Sequence, residues 1–532
     1  MSRFAKWGVW SLSAVLFASV LSACAQPKGS STAPGASGPS TQPTPGAAWD
    51  GTLTIGLPAN PTSLDPRVTL DGIAKTIYYN AYEYLVVVKP GTSADLVGDL
   101  ADSFSASADG KQWTFKLKSG HKFWDGTPVD SGAVKFTFDS MLKINQGPAS
   151  DFRTIKEIQT PDAQTVTFVL TEPFSIFPNL LTDIGIINPK VMEKEKGGDY
   201  GSGYLAQNLM GSGPYRLADW KPNQSVVLEA VPDYWGTQPK AKKVVFPIFT
   251  ELSNLRLQLE KGDLDIAWGI PTDQMMSMFN KPGIKVQDNV GFDFIYVYLN
   301  NLKKPLDSVK VRQALSYATD YDSILNDLLQ GHGKQLKGPY AFAAEGYKEP
   351  TFYYKRDLAK AKQLLADAGY PNGFTFTLLY ASPTVGAAQA AQVLQANFAE
   401  IGVKVQLQEI AEATRRDRVD KGDFEASMGQ WVKTAQPYWT MNVWHDSSRF
   451  GLAGDRSFYK NPQVDDLLRK AVAEMDATKR ADTYRQAQDL IMQDAPYIYL
   501  YQRNSMLPMR DSVKGYLYNP VPYRINLPDL SK

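Results

Sequence analysis

Gly98-Asp99-Leu100-Ala101-Asp102-Ser103-Phe104, Trp113-Thr114-Phe115-Lys116-Leu117-Lys118 and Gly120-His121-Lys122-Phe123-Trp124-Asp125-Gly126-Thr127-Pro128-Val129 form the stretch on which the reading of the fold turns. In its middle segment Trp113, Phe115 and Leu117 share one face, and Thr114, Lys116 and Lys118 share the other. That two-residue period belongs to a half-buried strand. Asp125-Gly126-Thr127-Pro128 carries turn chemistry, with glycine free to take positive φ. The chain then runs into a helix bearing Val134, Phe136 and Phe138. Outward from there, Thr52-Leu57 and Thr165-Leu170 read as further strands. Ser308 stands where it can cap a helix with Val311, Leu315 and Ala318 on one stripe. Asp357 can cap the next, with Leu358, Ala361, Leu365 and Ala368 inward and Gly369 as the stop. Strand Phe374-Leu379, a helix through Val393 and Phe398, strand Val403-Gln408 and helices from about Gln463 and Lys479 follow. Strands interleaved with helices make the chain α/β. It holds no internal repeat.

Phe292-Leu299 and Pro496-Tyr501 read as strands rich in Tyr and Phe. They are expected to carry the chain from one lobe to the other and back, so that the lobes share a two-strand hinge.

The N-terminus has a different character. Arg3 and Lys6 precede an apolar run from Trp7 to Val20, and Leu21-Ser22-Ala23-Cys24 follows, with the only cysteine of the chain. A basic region, a short apolar region and small residues describe a secretory signal. The run is short for a membrane-spanning helix. Leu-Ser-Ala-Cys resembles the bacterial lipobox, in which the cysteine is lipidated and becomes the first residue of the mature protein. Residues 25–48 are nearly all Ala, Pro, Gly, Ser and Thr, a composition with little to bury, expected to act as a disordered tether. Acyl chains on Cys24 would hold the protein at the membrane.

The remaining body, Trp49 to Lys532, is long enough for two or three domains of about 150 residues. Hydrophobic content is 43%, ordinary for a globular protein. The formal charge is +1, and removing Arg3 and Lys6 with the signal gives −1, which leaves no electrostatic footprint for nucleic acid. Twenty-seven Tyr and 11 Trp suit both core packing and the walls of a ligand cleft. Signs of catalysis are weak. The chain has no G-x-S-x-G, H-E-x-x-H, Walker loop or G-x-G-x-x-G. Ser119-Gly120-His121-Lys122 matches S-x-x-K, but it falls in a turn after a strand, whereas that chemistry needs the serine at a helix start. His121, His332 and His445 are far apart, and one cysteine makes neither a disulfide nor a Cys-based metal site. Asp263/Asp265 and Asp465/Asp466 read as caps and solvated helix faces. No cofactor and no metal are expected.

Further landmarks follow the opening stretch in order. They are Gly211-Ser212-Gly213-Pro214-Tyr215, Asp233-Tyr234-Trp235-Gly236, Lys261-Gly262-Asp263-Leu264-Asp265-Ile266, Val311-Arg312-Gln313-Ala314-Leu315 with Tyr317-Ala318-Thr319-Asp320, and Ala359-Lys360-Ala361-Lys362-Gln363-Leu364-Leu365 with Ala368-Gly369-Tyr370-Pro371. Ile401-Gly402-Val403, Gly422-Asp423-Phe424 with Trp431, Asn461-Pro462-Gln463-Val464-Asp465 and Asp494-Ala495-Pro496 complete the series. Together they closely resemble the family 5 extracytoplasmic solute-binding proteins, the peptide/opine/nickel class that serves ABC importers. The resemblance spans essentially the whole mature chain. It implies a two-lobe periplasmic-binding-protein-like fold (type II, cluster C) with an extra subdomain in the first lobe. The divisions expected are a signal at 1–23, the anchored linker at 24–48, lobe I at 49–295 with the subdomain at about 90–210, lobe II at 296–498, and a return to lobe I at 499–532. It further implies a monomer, not an enzyme, lipid-anchored outside the cytoplasm, that closes around a small solute and delivers it to a membrane permease.

Against that family the second-lobe wall departs. Peptide-binding members usually carry an Asp shortly after the Trp matching Trp431, pairing with the peptide's α-amino group. Here the chain reads Trp431-Val432-Lys433-Thr434-Ala435-Gln436-Pro437-Tyr438-Trp439, with no acid. Dipeptide-type members place an Arg for the ligand carboxylate in a loop that here reads Ala381-Ser382-Pro383-Thr384-Val385-Gly386. Both losses argue against a zwitterionic dipeptide. The expected ligand contacts are Trp431, Lys433, Thr434, Gln436, Tyr438, Trp439 and Arg416, with Lys433 as an anion partner. Arg415, Arg416 and Arg418 line the cleft or form a solvated helix face. A peptide or peptide-like solute is the family default, an opine another member's ligand, and an oligosaccharide the alternative. A secreted hydrolase or a surface scaffold would be a different class.

Overall fold

Two long strands organise the molecule. In the computed structural model, which describes residues 49–382, 386–451 and 454–532, Ile284–Leu299 and Tyr497–Arg510 pair antiparallel from Ile284↔Arg510 to Tyr298↔Tyr497. Sequence reading ends the second strand at Tyr501, because Gln502-Arg503-Asn504-Ser505 breaks the apolar run. The strand continues because these polar groups find partners. Gln502 Nε2 donates to Gly291 O at 2.7 Å, Arg503 Nε to Asp293 at 3.0 Å, and Asn504 Nδ2 to Asp288 at 2.8 Å. The register slips here, between Asn289↔Ser505 and Asp293↔Arg503, so three residues of one strand face one of the other. Gly291 sits in the slip, where a Cβ would lie 2.6 Å from Arg503 O and 2.8 Å from Ser505 N, against backbone that cannot give way.

This ribbon is shared by two halves of one eleven-stranded sheet. On one side of the slip it continues through Ile266–Ala267, Thr52–Gly56, Lys243–Pro247, Ser225–Ala230 and Tyr215–Lys221. On the other it continues through Ala426–Val432, Thr375–Ser382 and Lys404–Ala411. The result is an α/β protein of two lobes. In the second half Leu358–Asp367 starts where Asp357 accepts from Lys360 N at 2.9 Å, and Gly369 takes φ +87° just beyond its end. Ser308 precedes Val309–Ala318 but makes no side-chain cap bond.

The opening stretch forms a separate four-stranded antiparallel sheet, in the order Ala101–Ala106, Gln112–Leu117, Thr165–Leu170, Ile155–Asp162. Trp113, Phe115 and Leu117 are buried as their period requires. Helix Ser131–Ile144, capped by Asp130, lays Phe138 edge-on against Phe168 at 5.1 Å. From the segment after this sheet, Ser175 N donates to Val472 O (2.9 Å) and Phe174 meets Tyr438 edge-on at 5.3 Å. The first-lobe core joins Leu53, Ile55 and Val244 to Leu507, Met509, Ile525 and Leu530 from the far end of the chain.

Candidate functional site

Strand Ala426–Val432 pairs with Asp293–Leu299 along its whole length, but with Thr375–Ser382 only at Ala426 and Ser427. Lys433 N donates to Phe292 O (3.0 Å). Alternation therefore turns the backbone groups of Gln430 and Val432 to the opposite edge, which beyond Ser427 has no sheet partner among the described residues. Gly429 lets the strand lie against two tyrosines, since a Cβ there would sit 2.4 Å from Tyr296 and 2.8 Å from Tyr298.

That free edge borders a cavity of about 470 Å³, within the usual size of small-molecule sites. Both lobes line it. Leu70, Lys75, Asp183 and Tyr523 come from the first, and Arg415, Arg416, residues 428–434 and Arg456 from the second. Leu70 is 59% exposed, an apolar side chain left open at this wall. A second cavity of about 320 Å³ shares Gln430, Val432, Pro522 and Tyr523 with it and holds the Asp293–Arg503 pair.

The electrostatics are mostly settled within the wall. Asp183 pairs with Lys75 at 3.3 Å and Arg524 at 2.8 Å. Burial alone would raise its carboxyl, but Lys75, Arg524 and Lys433 hold it down at about 2. Arg415, buried, grips Glu412 through two bonds of 2.7 and 2.9 Å and donates to Met428 O. Arg456, 8% exposed, donates to Tyr298 Oη at 3.1 Å, with its Nε 3.6 Å from Asp420. Lys433 Nζ lies 3.9 Å over the Trp439 ring and 5.8 Å over that of Trp431. Burial lowers its ammonium's pKa, opposed by Asp151 and Asp183.

Of the residues expected from sequence, Trp431, Lys433, Thr434 and Arg416 border the cavity together. Gln436, Tyr438 and Trp439 do not appear in its lining. Gln436 is buried. Tyr438 opens helix Tyr438–His445 and accepts from Arg449 at 3.0 Å. Trp439 lies beneath Lys433 and donates from Nε1 to Thr434 Oγ1 at 3.1 Å, so it braces two bordering residues from behind. Arg418 turns away and donates to Asp423 O. Pro383–Val385 of the loop after the strand lie outside the described residues, as do Cys24, the signal and the linker. The three histidines have separate partners: Glu83 for His121, Asp288 for His332, and Tyr499 for His445. Sequence reading misses Leu70, Lys75, Asp183, Arg456 and Tyr523. Lys75 and Asp183 are 108 residues apart, and no local spacing announces such a pair.

Comparison with known proteins agrees with this architecture. The model of a family described as bacterial extracellular solute-binding proteins, family 5 Middle, matches residues 95–451. The chain is 42% identical over 488 residues to the Escherichia coli (strain K12) protein named "Probable D,D-dipeptide-binding periplasmic protein DdpA", covering 90% of this chain and 94% of that one. Among solved structures, the ABC transporter-associated periplasmic binding protein DppA from Helicobacter pylori, in complex with peptide STSA, superposes with a TM-score of 0.76 at 27% identity, over 90% of this chain and 97% of that one. HbpA2 from Haemophilus parasuis superposes with a TM-score of 0.80 at 25% identity, over 90% and 99%.

Proposed function

Since the chain belongs to the family 5 extracellular solute-binding proteins, binding proteins rather than enzymes, we propose that it captures a peptide or peptide-like solute between its lobes and hands it to an ABC permease. The observation that carries this reading is the cavity itself. It is walled by both lobes, and one wall is a strand edge with free amide groups at Gln430 and Val432. Such an edge can hydrogen-bond a peptide backbone whatever its side chains. One relative is named "Probable D,D-dipeptide-binding periplasmic protein DdpA" and another was solved in complex with peptide STSA, which supports the same class here. The lobes divide as 49–295 and 296–498 with a return at 499–532, and a subdomain at about 90–210. Closure turns about the slipped ribbon at 290–292 and 503–505, where strand pairing is interrupted. The protein acts as a monomer, with Trp431, Lys433, Thr434 and Arg416 touching the solute and Gln436, Tyr438 and Trp439 supporting them.

The protein works outside the cytoplasm, tethered by lipid on Cys24. No helix among the described residues is long and apolar enough to cross a membrane. Cys24→Ser should move the protein from the membrane fraction to the soluble one. An unchanged membrane fraction would refute the anchor. The binding reading is tested by native mass spectrometry of the purified protein. Added masses of short peptides or peptide-like solutes are expected. A hexose ladder would replace them with an oligosaccharide.

A further inference from the structure

The charges around the cleft are unequal, and the inequality specifies the solute. Each carboxylate at the walls already has a cation: Asp183 has Lys75 and Arg524, Glu412 has Arg415, and Asp293 has Arg503. Asp420, behind the wall, has Arg456. An ammonium group entering this cleft would find no uncommitted carboxylate among the lining residues, and Asp151, just beyond them, already shares the charge of Lys433; burying the ammonium unpaired is costly. The cations are not used up in the same way. Arg416 borders the cavity exposed, and it makes no hydrogen bond or ion pair with any described residue. Lys433 borders it too, over two aromatic faces and without an ion pair, although Asp151 and Asp183 act on its charge. With Asp420, Asp151 and Arg524 just beyond the lining and the Asp293–Arg503 pair of the neighbouring cavity counted, seven cations stand against five carboxylates. The free strand edge calls for amides, and Leu70 offers an apolar surface.

We propose, resting on the reading of this cleft as the solute site, that its ligand carries a carboxylate and amide groups but no free ammonium: an N-acylated peptide or similarly N-blocked amino-acid derivative. The carboxylate meets Arg416 and Lys433. A blocked nitrogen spares the cleft an unpaired positive charge. The acyl group replaces that charge with an amide for the strand edge and carbon for Leu70.

Isothermal titration with three matched probes tests this: Ala-Ala, N-acetyl-Ala-Ala and Ala-Ala amide, each as the L,L and D,D form. The acetylated form should bind at least about tenfold tighter than the free dipeptide in one configuration, with the amide weakest. A free dipeptide that binds as well or better overturns the proposal. Arg416→Gln and Lys433→Gln should each weaken the acetylated probe about tenfold. Arg416→Gln should leave the urea midpoint nearly unchanged, because that exposed side chain has no hydrogen bond or ion pair to lose. If neither substitution changes the acetylated probe's affinity, the proposal falls. Where no probe binds but a solute co-purifies, its reaction with dansyl chloride decides: labelling of a free amine overturns the proposal, and an unlabelled acid supports it. A protein that co-purifies with nothing and binds no probe overturns the proposal together with the solute-site reading beneath it.

Discussion

At the scale of single residues, His445 has the clearest pH signature. It is fully buried, its Nε2 is 2.6 Å from Tyr499 Oη, and burial pushes its pKa down to about 3. A base whose pKa is lower folded than unfolded binds more protons when unfolded. Its neutral form therefore favours folding above about pH 6.5, and that contribution is lost as pH falls toward 3, by up to about 1.4 kcal/mol per unit. Asp99 works oppositely. Burial and then Glu83 raise it to about 7, so its contribution is full below about pH 4 and is lost as pH rises toward 7. Comparing the protein with His445→Gln cancels the Asp99 effect. The stability gap between them should shrink by about 2 kcal/mol from pH 6.5 to 5, as read by urea unfolding. Gly429 gives a second prediction. Gly429→Ala places a methyl group against Tyr296 and Tyr298, and should cost about 1–3 kcal/mol in urea unfolding and weaken solute binding at the adjacent wall.

At the scale of elements, two helix starts that look alike in sequence differ in the structure. Asp357 accepts from Lys360 N, whereas Ser308 makes no cap bond. Asp357→Ala should therefore cost about 1 kcal/mol, and Ser308→Ala less than about 0.5, measured side by side by urea unfolding. This pair shows what sequence makes legible. Periodicity reveals the strand at Trp113–Leu117 and the helix at Leu358–Asp367, because alternation and capping are local. It cuts the Tyr497–Arg510 strand short at Tyr501, because the partners that make Gln502 and Arg503 tolerable lie on another strand. The site divides along the same line. Trp431 matches the family pattern, and Lys433 and Thr434 stand where the chain departs from it, just past the end of one short strand. Leu70, Lys75 and Asp183 reach the cavity from distant segments that carry no local mark.

At the scale of the whole molecule, the lobes meet through the ribbon on one hand and through Phe174–Tyr438 and Ser175–Val472 on the other. The second contact does not border the cavity, so it tests closure apart from solute contact. An edge-on aromatic pair contributes about 0.5–1.5 kcal/mol. Phe174→Ala should therefore weaken solute affinity by about two- to tenfold in isothermal titration. Gly291→Val should act at the ribbon, where any side chain meets the Arg503–Ser505 backbone, and should reduce the change in X-ray scattering radius when solute is added. The route of the chain has one more consequence, in time rather than space. Leu507, Met509, Ile525 and Leu530 complete a core begun by Leu53 and Ile55. A chain emerging from the ribosome N-terminus first therefore holds an unfinished first lobe until its last few dozen residues appear. Closing so long a loop is slow. The first lobe begun is thus among the last parts of the molecule to be finished, and a chain cut short before Leu507 would leave that core open.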